Sequence, residues 1–169
     1  ANTLIGGLAG DAITTGAKNV ALGKNSLGAN TAGNKAVAIG TDALATQNIT
    51  SDGDSFNVAV GYQAGTAVTT GQFNTLIGGL SGDALTTGAQ NVAIGYAALT
   101  TDDLGSHSVA VGPSALFSQN FATATNSYNT AVGSAAGGAV TTGVQNTLIG
   151  ALAGDALTDA DYNVAIGTD

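Results

Sequence analysis

Asn91-Val92-Ala93-Ile94-Gly95 is one copy of a five-residue phrase that recurs along the whole chain. Ten copies occur, all of them end in Gly, and eight begin with Asn. Successive copies start 17 positions apart, except for two intervals of 21, which follow Ala36 and Ser108. A fixed short period is typical of proteins in which similar units stack and bury their apolar sides against their neighbours. The copies begin at Asn2, Asn19, Ala36, Asn57, Asn74, Asn91, Ser108, Asn129, Asn146 and Asn163.

A second, longer period is superimposed on the first. The two long intervals are four phrases apart, and the sequence that starts at Asn2 returns with few changes at Asn74 and Asn146, a step of 72 positions each time. Residues 1–169 are therefore predicted to form a single repeat domain with about 2.3 copies of a four-coil cassette (169/72). The incomplete third cassette leads us to expect a segment of a longer array.

The composition excludes several classes of protein. The chain has 26 Gly, no Cys, Met or Trp, and neither Glu nor Arg, which suits short strands and tight turns better than long helices. Without Cys there is no disulfide framework and no thiolate metal site. The net charge of −8 argues against nucleic acid, whose phosphates require Lys and Arg. No apolar run approaches the ~20 residues of a membrane-spanning helix.

Alternation within the phrase predicts a β-strand that is apolar on both faces. Positions two and four point to one side of a strand and position three to the other. Position four is always Ile, Leu or Val, so we expect it to line the interior of the coil. Position three is also apolar in every copy, and strands that are apolar on both faces are covered on both faces. The sequence therefore predicts an all-β parallel β-solenoid of ten coils, with a repeat of 17 or 21, that associates with other copies of itself.

Position three is the predicted surface of self-association. It is mostly Ala, and one Leu occurs in each cassette, which we interpret as a bulky contact between subunits. The alternative is a wider core within every fourth coil. The predicted oligomer interface consists of Leu4, Ala21, Ala38, Ala59, Leu76, Ala93, Ala110, Ala131, Leu148 and Ala165.

The phrases at 91–95, 108–112 and 163–167 resemble the head repeats of YadA-like trimeric autotransporter adhesins. The resemblance covers the whole chain and implies a left-handed parallel β-roll, three copies of which pack as a homotrimer. The repeat is longer than the usual coil of that family. The phrases Gly61-Tyr62-Gln63-Ala64 and Gly95-Tyr96-Ala97-Ala98, with Thr-Thr-Gly turns between them, are equally similar to repeats of phage tail fibres.

Few residues offer chemistry. His107 is the single His, it precedes a phrase, and no spacing implies a catalytic triad, so we predict that the protein is not an enzyme and needs no cofactor. Asp52 and Asp54 lie in an inserted segment and are weak candidates for Ca²⁺ ligands, but the second cassette does not repeat them. Asn48-Ile49-Thr50 is a sequon for N-glycosylation.

An aromatic edge precedes several of the phrases. Exposed aromatic side chains are good partner contacts, although in a fibre they can also hold adjacent coils together. The column of phrase-opening Asn residues is expected to form a ladder of stacked side-chain amides. The predicted contacts with a surface receptor, a host glycan or a host protein are Phe56, Phe73, Tyr128 and Tyr162.

We therefore expect a structural and adhesive fibre or adhesin head, located outside the cell, at the cell surface or on a virion, with no membrane span in these residues. Two alternatives remain at this stage. One is a filament subunit that stacks end to end through exposed strand edges, and the other is a phage tail fibre for attachment to a host.

Overall fold

The computed structural model describes residues 1–51 and 53–168, and within them the regular structure consists of strands and turns, without a helix. Three-residue strands form at positions two to four of each phrase, where β-branched residues predominate. The strands are β1 (Thr3–Ile5), β2 (Val20–Leu22), β3 (Val37–Ile39), β4 (Val58–Val60), β5 (Thr75–Ile77), β6 (Val92–Ile94), β7 (Gly105–Ser106), β8 (Val109–Val111), β9 (Thr125–Asn126), β10 (Thr130–Val132), β11 (Thr147–Ile149) and β12 (Val164–Ile166).

Ten of these strands form one parallel sheet in chain order, from β1 to β12 without β7 and β9. Equivalent phrase positions pair throughout, as in Leu4 with Ala21 and Ala93 with Ala110. The short strands β7 and β9 pair in a second parallel sheet beside the main one. The chain is thus a parallel β-solenoid of about ten turns, which confirms the all-β class and the parallel stacking that the repeat predicts.

The two faces of the main sheet are the reverse of the sequence prediction. Position three points into the coil: Ala21, Ala93 and Leu76 are each 0% exposed. Position four points outward, and Ile94 is 36% exposed. Most of the interior volume is filled by Leu residues from other positions of the coil, such as Leu27 and Leu99, so position three is mostly Ala and the branched side chains of position four lie outside.

The predicted oligomer interface is therefore wrong for position three, because this column lies within the coil. Leu4, in the first strand of the sheet, is 41% exposed, and Ala165, in the last, is partly buried against the core. The residues that this correction concerns are Leu4, Ala21, Ala38, Ala59, Leu76, Ala93, Ala110, Ala131, Leu148 and Ala165.

The core is filled by complementary pairs of large and small residues. In β6, Ala93 at position three is accompanied six residues later by the buried Leu99. In β5, Leu76 is accompanied at the same distance by Gly82, and a Cβ atom at Gly82 would lie only 2.8 Å from the Leu76 Cδ2 atom. The same space in the core is therefore filled by one Leu side chain in both coils. It comes from position three in one coil and from the residue six positions later in the other. This exchange accounts for the Leu that recurs once in each cassette, without any contact between subunits.

The phrase-opening Asn residues form a ladder, but their side chains bind backbone groups of the neighbouring coil and, with one exception, not one another. The Asn74 Oδ1 atom accepts a hydrogen bond from the Asn91 backbone N–H at 3.0 Å. The Asn74 Nδ2 atom donates to the Gly88 carbonyl at 2.9 Å, in the Thr-Thr-Gly turn of the next coil. Every phrase-opening Asn from Asn2 to Asn146 satisfies one backbone N–H and one backbone carbonyl in this way. One amide-to-amide bond occurs within the described part of the ladder, from Asn163 to Asn146.

The two long coils open with Ala36 and Ser108 instead of Asn, and a buried Gln replaces the missing amide. The Gln47 Oε1 atom accepts from Asn57 Nδ2 at 2.7 Å, and Gln119 Oε1 accepts from Asn129 Nδ2 at 2.8 Å. In each long coil this Gln stands 17 positions after a polar residue of the preceding coil, Asn30 or Asp102, and before the inserted residues. The backbone N–H groups of Asn57 and Asn129, which have no Asn side chain in the preceding phrase to bind, donate to the hydroxyl oxygens of Ser55 and Ser127 at 3.5 and 3.4 Å.

Candidate interaction surfaces

The outward side of the ten-stranded sheet, which we call the outer face, is a nearly continuous apolar surface. Its two central columns are positions two and four of each phrase, all of them Val, Thr, Ile or Leu. Most of these side chains are partly exposed in the single chain, and those of the terminal strands are more exposed. The larger exposed members are Ile5 at 58%, Leu22 at 43%, Ile77 at 38%, Ile94 at 36%, Val132 at 36%, Ile149 at 38%, Val164 at 71% and Ile166 at 73%.

The outer face has the dimensions of a protein interface. Ten strands spaced ~4.8 Å apart give a length of about 48 Å, and the five residues of each phrase give a width of about 16 Å. The resulting area is on the order of 1,000 Å², compared with about 800 Å² per partner in a standard interface. Apolar patches larger than a few hundred Å² are uncommon on monomers and mark interaction sites.

The charges of the chain are distributed unequally around the coil. The positions immediately before and after each phrase carry all three lysines, Lys18, Lys24 and Lys35, whereas none of the eleven Asp residues falls within a phrase or at these flanking positions. Residues 1–35 contain three Lys and one Asp, a net charge of +2, and residues 36–169 contain ten Asp and no Lys, a net charge of −10. The outer face therefore carries no carboxylate, which makes it easier to desolvate.

The aromatic edge lies along one margin of the outer face and is exposed, as the sequence predicts. Phe56 and Phe73 stack with ring centroids 5.5 Å apart, and the Lys35 Nζ atom lies 4.8 Å from the centroid of Phe56. The rings of Tyr128 and His107 also pack together, with centroids 5.0 Å apart. These contacts join successive coils, so at least part of the edge holds the coils together. The exposed fractions are 45% for Phe56, 51% for Phe73, 51% for Tyr128 and 70% for Tyr162.

Each of these edge residues has a left-handed backbone conformation, with φ of 51° at Phe56 and 64° at His107. Non-glycine residues adopt this conformation at a cost of about 1–2 kcal/mol. The turn immediately before each phrase imposes it, because the chain must bend there before it enters the strand. Side chains from successive coils are consequently held in one row.

A polar cleft of about 300 Å³ lies beside this row, at the first three coils. In it, the Lys35 Nζ atom forms an ion pair with Asp54 Oδ2 at 2.5 Å. Lys18 forms no ion pair with any residue that the structure describes. The lining residues are Thr15, Ala17, Lys18, Asn34, Lys35 and Asp54.

The predicted Ca²⁺ ligands are not brought together with further acidic groups. The carboxylate of Asp54 binds Lys35, and Asp52 lies outside the described residues. Among residues 1–51 and 53–168, no three acidic, His or Cys side chains are grouped so that they could hold a metal ion. The structure also describes no helix long and apolar enough to cross a membrane.

His107 and Asn48 have structural contacts in the coil. The His107 ring is half-buried against Tyr128, and its backbone N–H donates to the Ala89 carbonyl. The Asn48 Oδ1 atom accepts from both the backbone N–H and the hydroxyl of Thr31, at 3.1 and 2.8 Å. Glycosylation of Asn48 stays a prediction.

A buried carboxylate that sequence reasoning missed lies in the coil that starts at Asn91, directly before the second long coil. Asp102 is 0% exposed and accepts hydrogen bonds from the Gly105 N–H at 3.0 Å and the Gln119 Nε2 atom at 2.6 Å. Burial raises the pKa of Asp102, and these hydrogen bonds together with one from the Phe121 backbone N–H only partly offset that effect. The equivalent residue of the first cassette is Asn30, which is uncharged, so the repeat does not predict a buried charge at this position.

Comparison of the chain with protein-family models, with curated proteins and with solved structures gives no match in any of the three.

Proposed function

We propose that this protein is a structural rod that associates with copies of itself through the outer face and serves as an extracellular fibre or adhesin head. The observation that carries the proposal is a solenoid sheet of ten strands whose outward side is apolar and free of carboxylates. A surface of that size and composition is stabilised when it is removed from water. The partner that matches a repeating surface at every level is a second copy with the same repeat.

The resemblance to trimeric adhesin heads favours three copies arranged around the outer face, with a left-handed coil. In that arrangement the Ile, Leu and Val residues of position four lie at the centre of the assembly. The aromatic edge and the inserted segments lie towards the periphery, where they are available to a receptor. The proposed role is non-enzymatic, and the protein is located at the cell surface, in the extracellular space or on a virion.

Adjacent residues of β6 test which face associates. Ile94→Asp places a carboxylate on the outer face, and we expect it to reduce the mass of the particle to that of one chain while the circular dichroism of a β-protein remains. Ala93→Asp places the carboxylate in the core, and we expect it to unfold the coil, because an unpaired buried charge costs several kcal/mol. Size-exclusion chromatography with light scattering and circular dichroism measure the two effects.

Thr87→Asp is the matched control, because Thr87 is exposed in a Thr-Thr-Gly turn away from the outer face. This variant adds the same charge and is expected to keep the native mass. An Ile94→Asp particle of unchanged mass would contradict association through the outer face. Electron microscopy of the native protein distinguishes the arrangements: threefold end views support a trimeric rod, whereas continuous filaments would replace it with end-to-end stacking.

A further inference from the structure

We propose that the cleft at the first three coils binds an acidic saccharide residue, whose carboxylate meets Lys18 and whose hydroxyl groups meet Asp54 and Thr15. The cleft is formed within one chain, so this proposal does not depend on self-association. Its volume of about 300 Å³ is at the small end of the range for ligand sites. Its lining consists of charged and polar side chains with the single methyl group of Ala17, which suits a polar ligand.

The charges of the cleft specify a ligand with one negative charge. Lys35 is neutralised by Asp54 through their ion pair, whereas Lys18 is exposed and has no ion-pair partner among the described residues. The lining residues that the structure describes therefore carry a net charge of +1, in a chain whose net charge is −8. A carboxylate is the anion that a single ammonium group can balance, through a charge-assisted hydrogen bond.

The remaining polar groups favour hydroxyl groups on the same ligand. Asp54 uses its Oδ2 atom for Lys35, and its Oδ1 atom forms no hydrogen bond with a described residue. The Thr15 side chain is exposed, and its hydroxyl has no hydrogen bond to the described protein atoms. An ionised carboxylate only accepts hydrogen bonds and a hydroxyl both donates and accepts, so the pair is complementary to a polyol.

The test is a titration of the native protein with glucuronic acid, followed by the amide chemical shifts of residues 15–18, 34–35 and 54. Glucose and acetate are titrated in parallel, because the first has the hydroxyl groups alone and the second has the carboxylate alone. We expect glucuronic acid to bind at least about tenfold more tightly than either, the effect of one charge-assisted hydrogen bond. Equal binding of acetate would reduce the cleft to a simple anion site and overturn the proposal, as would equal binding of glucose.

Lys18→Gln and Lys24→Gln form a matched pair, because both remove one exposed lysine and change the net charge equally. Lys18→Gln is expected to weaken glucuronic acid about tenfold or more, and Lys24→Gln, whose side chain does not line the cleft, less than twofold. Asp54→Asn tests the carboxylate and the hydroxyl groups of the ligand separately, because it removes the negative charge that neutralises Lys35 and replaces one acceptor oxygen by an amide donor. The proposal requires this variant to strengthen acetate while weakening glucuronic acid, and equal losses in the two lysine variants would contradict it.

Discussion

Asp102 illustrates how one residue can depart from its repeat without disturbing the coil. Its carboxylate occupies the place that Asn30 fills in the first cassette, and it is completely buried. Protein N–H groups surround it, but no cation among the described residues does: it accepts from the Gly105 backbone and from Gln119. Burial disfavours the charged form more than these donors favour it, so its pKa is raised.

The raised pKa predicts that Asp102 weakens the fold as the pH rises. The folded protein retains the proton at a pH at which the unfolded chain, with its ordinary value of 3.8, has lost it. The contribution of Asp102 to stability is therefore fully present below pH 3.8 and is lost as the pH rises through the folded pKa. For one carboxyl group the slope cannot exceed about 1.4 kcal/mol per pH unit.

Asp102→Asn is expected to remove this slope, since Asn30 shows that an amide fits the equivalent position. Urea unfolding of the wild type and the variant between pH 3.5 and 7 gives the difference in free energy of unfolding. That difference should shift in favour of the variant as the pH rises. Asp11→Asn, at an exposed position, is the control, and a difference that stays constant with pH would contradict the prediction.

At the scale of the strand and its turn, two positions share the volume of the core: position three of the phrase and the residue six positions later. Four of the six coils with Ala at position three and a residue six positions later carry Leu there, as in Ala93 with Leu99. The coils with Leu at position three carry Gly there, as in Leu76 with Gly82. The coil with Ala59 and Gly65 has neither Leu, and there a Cβ atom at Gly65 would lie 2.6 Å from Leu76 Cδ1 of the next coil. Neighbouring coils therefore share the space.

This division predicts a strong coupling between Leu76 and Gly82. Leu76→Ala should cost about 2–5 kcal/mol in free energy of unfolding because it leaves a cavity. Gly82→Leu alone should destabilise by overpacking, about 1–3 kcal/mol. The double variant reproduces the arrangement of Ala93 and Leu99 and should recover much of the loss. A double-mutant cycle by chemical denaturation measures the coupling, and additive losses would show that the two positions do not share a space.

The repeat was sufficient to predict the class of fold but not its inside and outside. Equal spacing of identical phrases requires stacked parallel strands, and the pairing of Ala93 with Ala110 confirms them. The alternation within Val92-Ala93-Ile94 is compatible with either orientation, because both sides are apolar. The choice depends on the width of the coil, which is set by the exchange of volume between position three and the residue six positions later. That exchange is visible in the sequence, and it was the signal that would have placed Ala inside.

The cleft that contains Asp54 and the buried carboxylate of Asp102 could not be predicted from the repeat. The positions before each phrase were expected to form an exposed edge, and the exposure of the aromatic residues there is confirmed. Their grouping with Asp54 into a cleft depends on how the inserted segment folds back onto Lys35, and the spacing of the repeat does not specify that path. The burial of Asp102 likewise involves a neighbouring coil, because Gln119 of the second long coil donates a hydrogen bond to its carboxylate.

At the scale of the whole molecule, the number of cassettes determines the length of the rod. Deletion of residues 75–146 removes one full cassette and joins Asn74 to Thr147, which restores the native sequence Asn-Thr-Leu-Ile-Gly at the junction. Since each coil contacts only its neighbours, we expect the shortened chain to fold. Removal of four coils should shorten the rod by about 19 Å.

Small-angle X-ray scattering measures the change in length, and circular dichroism during heating measures the change in stability. A variant that deletes residues 75–140 instead, and so breaks the register of the repeat, is the control that should aggregate or unfold. A cassette deletion that fails to fold would contradict the independence of the coils.

The bonds between coils also determine how the rod would respond to a pull on its two ends. The rungs made by Asn74 with Asn91 and Gly88 connect only adjacent turns, so the outermost turn, which has a neighbour on one side only, is the first that tension detaches. Turns would then peel away one after another. Each would release about 50–60 Å of slack, the extended length of one short coil, while the remaining turns stay intact. A tether built in this way lengthens in steps under load and shortens again as the turns rewind.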